Sequence, residues 1–376
     1  MSPNRLALVA LLVSAGCAPA PTSAPPAAAT AATPWTLTAV APDTTDGIRI
    51  LILHDMEGLS GQGNPTTFDF GTPRYPEGQQ LLVGDINAVV EGLYAGGATE
   101  VRVVDGHGSG NPDPDVRTDL LDKRATQILR DDDFDGYFGV PEFERFDAVA
   151  VVGMHAKTGS RGFASHTFTL GIGIAINGQF VTETELVGLS WGRVGVPVIF
   201  GSGDDRLAAD LATMPWIEFA TVKTALAADS AAPRPIEQAR ADLTAKAKRA
   251  VENLKGGKAQ SMQATLPLRV GLRAVPPANL SHLAGLPGIQ YADSTATVGV
   301  DSLKHGYDVL ITLVGIATRE YTRLLTRALR DRPDGPAIME AFGGRVSQTW
   351  FDYESGRWKA PPPPPPPAPR KHHGYQ

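Results

Sequence analysis

The sequence predicts an α/β fold: a mostly parallel sheet with flanking helices, plus a smaller α+β domain. Three observations carry this reading. Short apolar runs recur between residues 47 and 204, each closed by Gly, Asp or His; a helical segment separates the first two; and an Asn-Gly pair further on marks a hairpin. Strands alternating with helices build parallel layers, whose strands are buried on both faces and so read as near-continuous apolar stretches.

Taken in order, residues 48–53 form the first expected strand. In "EGQQLLVGDINAVVEGLYAGG", Leu82, Ile86, Val89, Val90 and Leu93 recur at helical spacing, and Gly96-Gly97 supply the stop. Residues 101–104, 148–152 and 196–200 add three more buried strands of a Rossmann-like layer. From His166, "HTFTLGIGIAINGQFVTE" alternates in polarity, and Asn177-Gly178 accepts the positive φ angles of a type I′ turn. Thr182 with Glu185 three positions on is a capping box for a new helix. Residues 235–254 place Ile236, Leu243, Ala247, Ala250 and Leu254 on one helical face, and Gly256-Gly257 end it. Beyond, "LPLRVGLRAVP" reads as a strand, "NLSHLAGLPG" as a short helix and turn, "IQYADSTATVGV" as one more strand, and "SLKHGYDVLITLVGIATREYTRLL" as a closing helix. The expected organisation is an α/β domain over 47–255 and a smaller α+β region over 256–350.

The chain has 376 residues, a formal charge of −6 and 42% hydrophobic content, enough for one large or two medium domains. This mild acidity gives no reason to expect a nucleic-acid partner. At the N-terminus, Arg5 precedes an apolar run over 6–13 and then small residues, the pattern of a secretory signal too short to span a bilayer. Cys17 is the single cysteine, so no internal disulfide forms. It follows Ser14-Ala15-Gly16 and resembles the lipidated cysteine of a bacterial lipoprotein, with Ser14 as the departure from that pattern. The expectation is a signal over 1–17, an Ala/Pro/Thr-rich flexible spacer over 18–46, and a disordered polyproline and basic tail over 351–376. The protein is then exported to the periplasm or cell envelope and held by a lipid anchor without spanning the membrane.

Three strand ends carry chemistry: "HDMEG", "DGHGSGN" and "GMHAKTG". Ligands of open parallel sheets sit beyond the carboxyl ends of the strands, so Asp55, Glu57, His107 and His155 converge on one cleft. Each alone fits a plain reading, as a turn acid, a loop histidine or a buried imidazole. Together, two carboxylates and two imidazoles suit zinc, which accepts both oxygen and nitrogen. Asp105, two residues before His107, is placed to orient an imidazole from behind.

"HDMEGLSG", "VVDGHG", "VGMHAKTG", "SHT", "INGQFVTETELVGL" and "GSGDDR" resemble, in order and spacing, the signature segments of the DppA-type D-aminopeptidases, a family of zinc metallopeptidases. The resemblance spans about residues 49–317; the leader and the polyproline tail depart from it. It implies two zinc ions held by Asp55, Glu57, His107, His155 and Glu183, with Asp55 as the bridge. Counting from the hairpin and back from "VPV" selects Glu183, and the capping box gives Glu185 a separate structural task. His166 matches the family's catalytic histidine, able to move a proton beside the metals. Asp204 and Asp205 either cap the next helix or stand behind the site near a substrate amine; Lys223 and Asn111 are open to a substrate contact. His54 falls outside the ligand pattern and is expendable on this reading. The implied activity is aminopeptidase hydrolysis of short peptides, including D-amino-acid peptides, by a ring-like homo-oligomer. Two other readings stay open, an amidase or esterase on the same scaffold and a non-catalytic lipoprotein that binds peptide or metal.

Overall fold

The computed structural model describes residues 33–354 apart from 110, 130–144 and 276–277, together with 357 and 359. The expected signal, Cys17 and the polyproline run lie outside the described residues. Inside the stretch read as a flexible spacer, Trp35–Val40 forms a strand, β1, that pairs antiparallel with a late strand, Trp35 opposite Ala264. Averaging composition over 18–46 hides this end, where Trp, Thr, Leu and Val have high β propensity and Trp35 enters the core.

Among the described residues the main sheet has seven strands. In chain order they are β2 (Arg49–His54), β3 (Glu100–Asp105), β4 (Ala125–Ile128), β5 (Ala148–Val152), β8 (Val198–Asp204), β9 (Glu218–Ala227) and β10 (Ser230–Pro233). Their spatial order is β10-β9-β8-β5-β2-β3-β4, with every neighbouring pair parallel except β9 and β10. Side chains alternate between faces. Ile50, Ile52, Val101 and Val103 meet α1 (Tyr75–Gly96) and α4 (Ile236–Lys255), whereas Leu51, Leu53, Val149 and Val151 face the rest of the protein. Each such fully buried aliphatic side chain contributes about 1.5–3 kcal/mol by leaving water. The two helices touch closely because Gly92 has no side chain: a Cβ there would lie 2.2 Å from the Thr244 carbonyl oxygen.

On the other face, α2 (Glu183–Gly192) is buried at every residue, and its capping box is present as expected. It follows a hairpin of β6 (Ile172–Ile176) and β7 (Gln179–Val181), turned by Asn177 and Gly178 at φ +49° and +83°. After β11 (Ala259–Ala264), the partner of β1, come β12 (Leu268–Ala274), β13 (Ile289–Ala292) and β14 (Thr295–Val300). The second sheet has the order β13-β14-β12-β6-β7 and is antiparallel throughout. A boundary at residue 256 therefore does not follow the sheets, because β12 pairs with β6 from within the first region. The stretch read as one strand over "IQYADSTATVGV" is two, joined at Asp293 and Ser294, both with positive φ and with no glycine to announce the turn. The closing helix breaks at Thr318 into α5 (Leu303–Ala317) and α6 (Arg319–Arg330), and α7 (Gly335–Glu354) runs past residue 351.

Candidate metal centre

The centre is built at the carboxyl ends of β2, β3 and β5. Past β2, the Asp55 N–H donates to the Val152 carbonyl at 2.8 Å and the Gly58 N–H to that of Gly153 at 2.6 Å, which locks the loop against β5. Gly58 is required there, since a Cβ would stand 2.0 Å from the Met154 oxygen. Past β3, Asp105 accepts the His107 N–H at 2.8 Å and the Asp115 N–H at 2.7 Å. Asp105 thus fixes His107 through its backbone, a different route from the ring contact expected.

Asp55 stands between two imidazoles. Its Oδ1 lies 2.9 Å from Nδ1 of His107, and its Oδ2 lies 3.3 Å from Nε2 of His155. Glu57 joins the first side, Oε2 3.2 Å from His107 Nδ1, and Glu183 the second, Oε1 3.4 Å from His155 Nε2. All five residues are buried. Asp55, Glu57 and His107 form one group with ligand atoms within 4.8 Å of each other, and Asp55, His155 and Glu183 form another.

The residues fit zinc. Neighbouring ligands on one tetrahedral zinc, with bonds near 2.0–2.1 Å, are about 3.3 Å apart, close to most of these separations. Nε2 of His155 is buried and completes no hydrogen bond although two carboxylates face it. A nitrogen between two carboxylates is a donor set that suits a cation. The remote nitrogens are committed: His107 Nε2 is 3.2 Å from the Phe68 carbonyl and His155 Nδ1 is 3.0 Å from that of Ala156, which leaves the inward nitrogens for metal.

The charges agree. Burial raises the Asp55 pKa, with Glu57 adding to it. Burial also works to raise Glu57, but His107 outweighs it and holds the group down at about 2. For the imidazoles burial acts downward and loses: Glu57 and Asp55 lift His107 well above its ordinary range, and Glu183 lifts His155 to about 10.

His166 lies beside the group, its ring stacked on that of His155 with centroids 3.9 Å apart. Its Nδ1 is 2.7 Å from the Ala164 carbonyl. Burial first, and the neighbouring His155 second, push its pKa down to about 4, so the ring is neutral at ordinary pH. A nitrogen of His166 also comes within 4.8 Å of ligand atoms of Glu57 and His155, near enough to reach whatever the centre holds.

Asp204 and Asp205 are not in the cleft. Asp204 caps α3 (Asp205–Asp210), accepting from the Arg206 and Leu207 N–H groups, and also holds the Phe163 N–H at 2.8 Å. Asp205 accepts the Ala225 N–H. Lys223 is fully buried and lines neither cavity described below. Asn111 donates to the Tyr75 hydroxyl at 2.8 Å. His54, outside both ligand groups, is fully buried with Nδ1 4.0 Å from Asp105.

Two cavities, about 640 and 520 Å³, meet at His107, His166 and Phe168. The first reaches from Asp55, His155 and Glu183 to Tyr307, Ile311 and Val314 of α5; the second runs along Glu57, Phe68, Phe70 and Leu170. Phe168 adopts φ +60°, strained for an aromatic residue, while its N–H donates to Glu183 Oε1 at 2.7 Å. The sequence announces α5 as a helix but nothing in it places α5 or Phe168 at the site, because both read there as ordinary apolar residues.

A mostly parallel α/β layer with acidic and imidazole side chains gathered at its strand ends defines the class: an α/β protein built around a site suited to two metal ions. The chain belongs to the peptidase M55 D-aminopeptidase family, whose model matches residues 48–310. A D-aminopeptidase of Bacillus subtilis (strain 168) is 29% identical over 179 residues, 47% of this chain and 64% of that protein's length. The chain thus spans a little under two thirds of that relative. In fold, the chain is similar to the zinc-dependent D-aminopeptidase DppA from Bacillus subtilis, described as a self-compartmentalizing protease, with a TM-score of 0.64 and 23% identity over 72% of this chain and 98% of the other.

Proposed function

We propose that this protein is a zinc-dependent aminopeptidase that removes N-terminal residues from short peptides, with D-amino-acid peptides as its substrate class. The observation that carries the reading is Asp55, which belongs to both ligand groups, faces a different imidazole with each carboxylate oxygen and lines the first cavity. Asp55, Glu57 and His107 would hold one ion, and Asp55, His155 and Glu183 the other. Zinc bound there supplies an activated water and polarises the scissile carbonyl. His166 does the proton work: the Ala164 carbonyl keeps the proton on Nδ1, so Nε2 takes a proton from the nucleophile and returns it to the leaving amine. Phe168, Tyr307 and Ile311 exclude water and receive the apolar parts of the substrate.

The same proposal includes export, a lipid anchor at Cys17 and a ring-like homo-oligomer. The sequence of residues 1–17 supports the first two, and mass spectrometry of the mature N-terminus tests them. Exposed Leu324, Leu325 and Phe342 on α6 and α7 are apolar area that assembly would cover.

The function is tested on a soluble form beginning at Thr33, which keeps β1. Two zinc ions per chain and release of N-terminal residues from D-Ala-D-Ala peptides, faster than from L-Ala-L-Ala, are expected. Metal without release of N-terminal residues would favour an amidase, an esterase or a binding protein.

A further inference from the structure

Lys223 on β9 carries an amino group buried under the metal centre that the hydrolysis does not use. Its side chain has no exposure, and Nζ lies 4.1 Å from the centre of the Phe163 ring. Nζ donates to the main-chain carbonyl of Glu57 and, at 2.6 Å, to Oε1 of Gln62. Gln62, itself buried, passes the restraint on: its Nε2 donates to the Met56 carbonyl at 2.7 Å and to Thr67 Oγ1 at 2.9 Å. Two of the three carbonyls from Asp55 to Glu57 are therefore held from below by one lysine–glutamine pair. On the other side of the loop the Ser60 N–H donates to Asp85 at 2.7 Å, which pairs with Arg240.

Burying an amino group is costly unless its donors are used, and here two N–H bonds go to the loop bearing Asp55 and Glu57. Core stability alone could be had from an apolar side chain in the same slot. A lysine aimed at the carbonyl of a ligand residue does something an apolar side chain cannot: it fixes the peptide plane from which that carboxylate projects. Glu57 belongs to only one of the two ligand groups that include Asp55, whereas Glu183 is anchored independently by α2 and by the Phe168 N–H.

We infer that Lys223, acting through the Glu57 carbonyl and Gln62, is a positioning residue that sets the metal affinity of the Glu57 side of the centre selectively over the Glu183 side. The inference rests on the metal reading given above.

The test titrates zinc into the full chain against a chromophoric chelator, for wild type, Lys223→Met and Gln62→Leu, and repeats it in a Glu183→Ala background to identify the Glu57-side step. Lys223→Met weakens that step by about 10–100-fold, the range seen when groups supporting a ligand are removed, and changes the other step less than about threefold. Gln62→Leu moves the same step in the same direction, and combining the two changes adds less than their sum because they act through one network. Equal weakening of both steps, or no change in either, overturns the inference. If Lys223→Met does not fold, Gln62→Leu alone decides by the same criterion. Amide hydrogen exchange in the zinc-free proteins separates the inference from the reading it rests on. Protection of the loop amides of Met56 and Glu57 falls at least tenfold in Lys223→Met, and unchanged protection overturns the clamp whether or not zinc binds. Wild-type protein that takes up no zinc overturns the metal reading instead.

Discussion

The ring of His166 lies flat against that of His155, 3.9 Å between centroids and 10° from parallel. A cation on His155, whether proton or metal, disfavours a second charge on His166, and burial acts the same way. On the proposed function, one imidazole would hold charge and the other would move a proton. His166→Ala is expected to keep both zinc ions and to lose about 10²–10⁴-fold in kcat. Metal content and peptide turnover on the same sample check it; full activity would remove His166 from the chemistry.

Glu183 and Glu185 are two residues apart and do different things. Glu183 faces His155, whereas Glu185 accepts the Thr182 N–H at 2.7 Å and the Thr213 hydroxyl at 2.6 Å. Glu183→Ala should lose one zinc with its fold intact. Glu185→Ala should keep both and lose about 1–3 kcal/mol, more than a surface cap, because it leaves buried donors unmatched. Metal analysis beside denaturant unfolding distinguishes them, and the reverse pattern would exchange the two assignments.

Much of this was legible in the sequence, for a physical reason. Parallel strands are apolar along their length and must stop at polar residues, so β2, β3 and β5 show their ends and thereby the positions of Asp55, His107 and His155. The capping box removed Glu185 from contention before any geometry was known. β9 was not legible because "EFATVKTALA" mixes polar and apolar residues at a sheet flank, and β1 because a proline-rich neighbourhood diluted it. The burial of Lys223 was not legible either, since lysines are almost always exposed. The α5 wall of the cavity comes from the far end of the chain, brought near by the β6–β12 pairing, which no local pattern encodes.

Zinc should displace protons. In the zinc-free protein His107 and His155 are held protonated at neutral pH by the carboxylates, so loading both ions at pH 7.5 releases about two protons per chain. Calorimetric titrations in buffers of different ionisation heat count them, and no release would mean neutral rings before loading. The sign for stability follows. With its folded pKa raised to about 10, His155 contributes stability that is fully present below its unfolded value near 6.5 and is lost as pH rises through about 10. Glu57, lowered to about 2, contributes above the ordinary glutamate range and loses that as pH falls toward 2. The zinc-free protein should therefore lose Tm between pH 7 and 10, and the loaded protein should lose less.

Phe168 joins its backbone to one task and its ring to another. The N–H restrains Glu183, while the ring divides the two cavities and packs edge-on against Tyr307 at 5.8 Å. Phe168→Ala keeps the N–H and should keep both zinc ions, but it opens the partition. The ratio of kcat/KM for bulky over small N-terminal residues should rise about tenfold, the scale of discrimination that apolar pockets achieve. A parallel loss of zinc would show that the ring, not only the backbone, supports the ligand.

His54 is the residue whose reading changes most. As a non-ligand it was expendable, but its imidazole is fully buried beside Asp105, the carboxylate that holds the His107 backbone. Removing it leaves a cavity and disturbs the surroundings of a buried carboxylate, two of the recognised routes to large destabilisation. His54→Ala should retain the zinc stoichiometry while losing about 2 kcal/mol or more of stability. Exposed His282, changed to alanine, should alter neither and is the better control. Thermal unfolding with zinc counting on both variants decides the matter: an unchanged Tm for His54→Ala would return it to the expendable class, and a lost ion would make it a ligand.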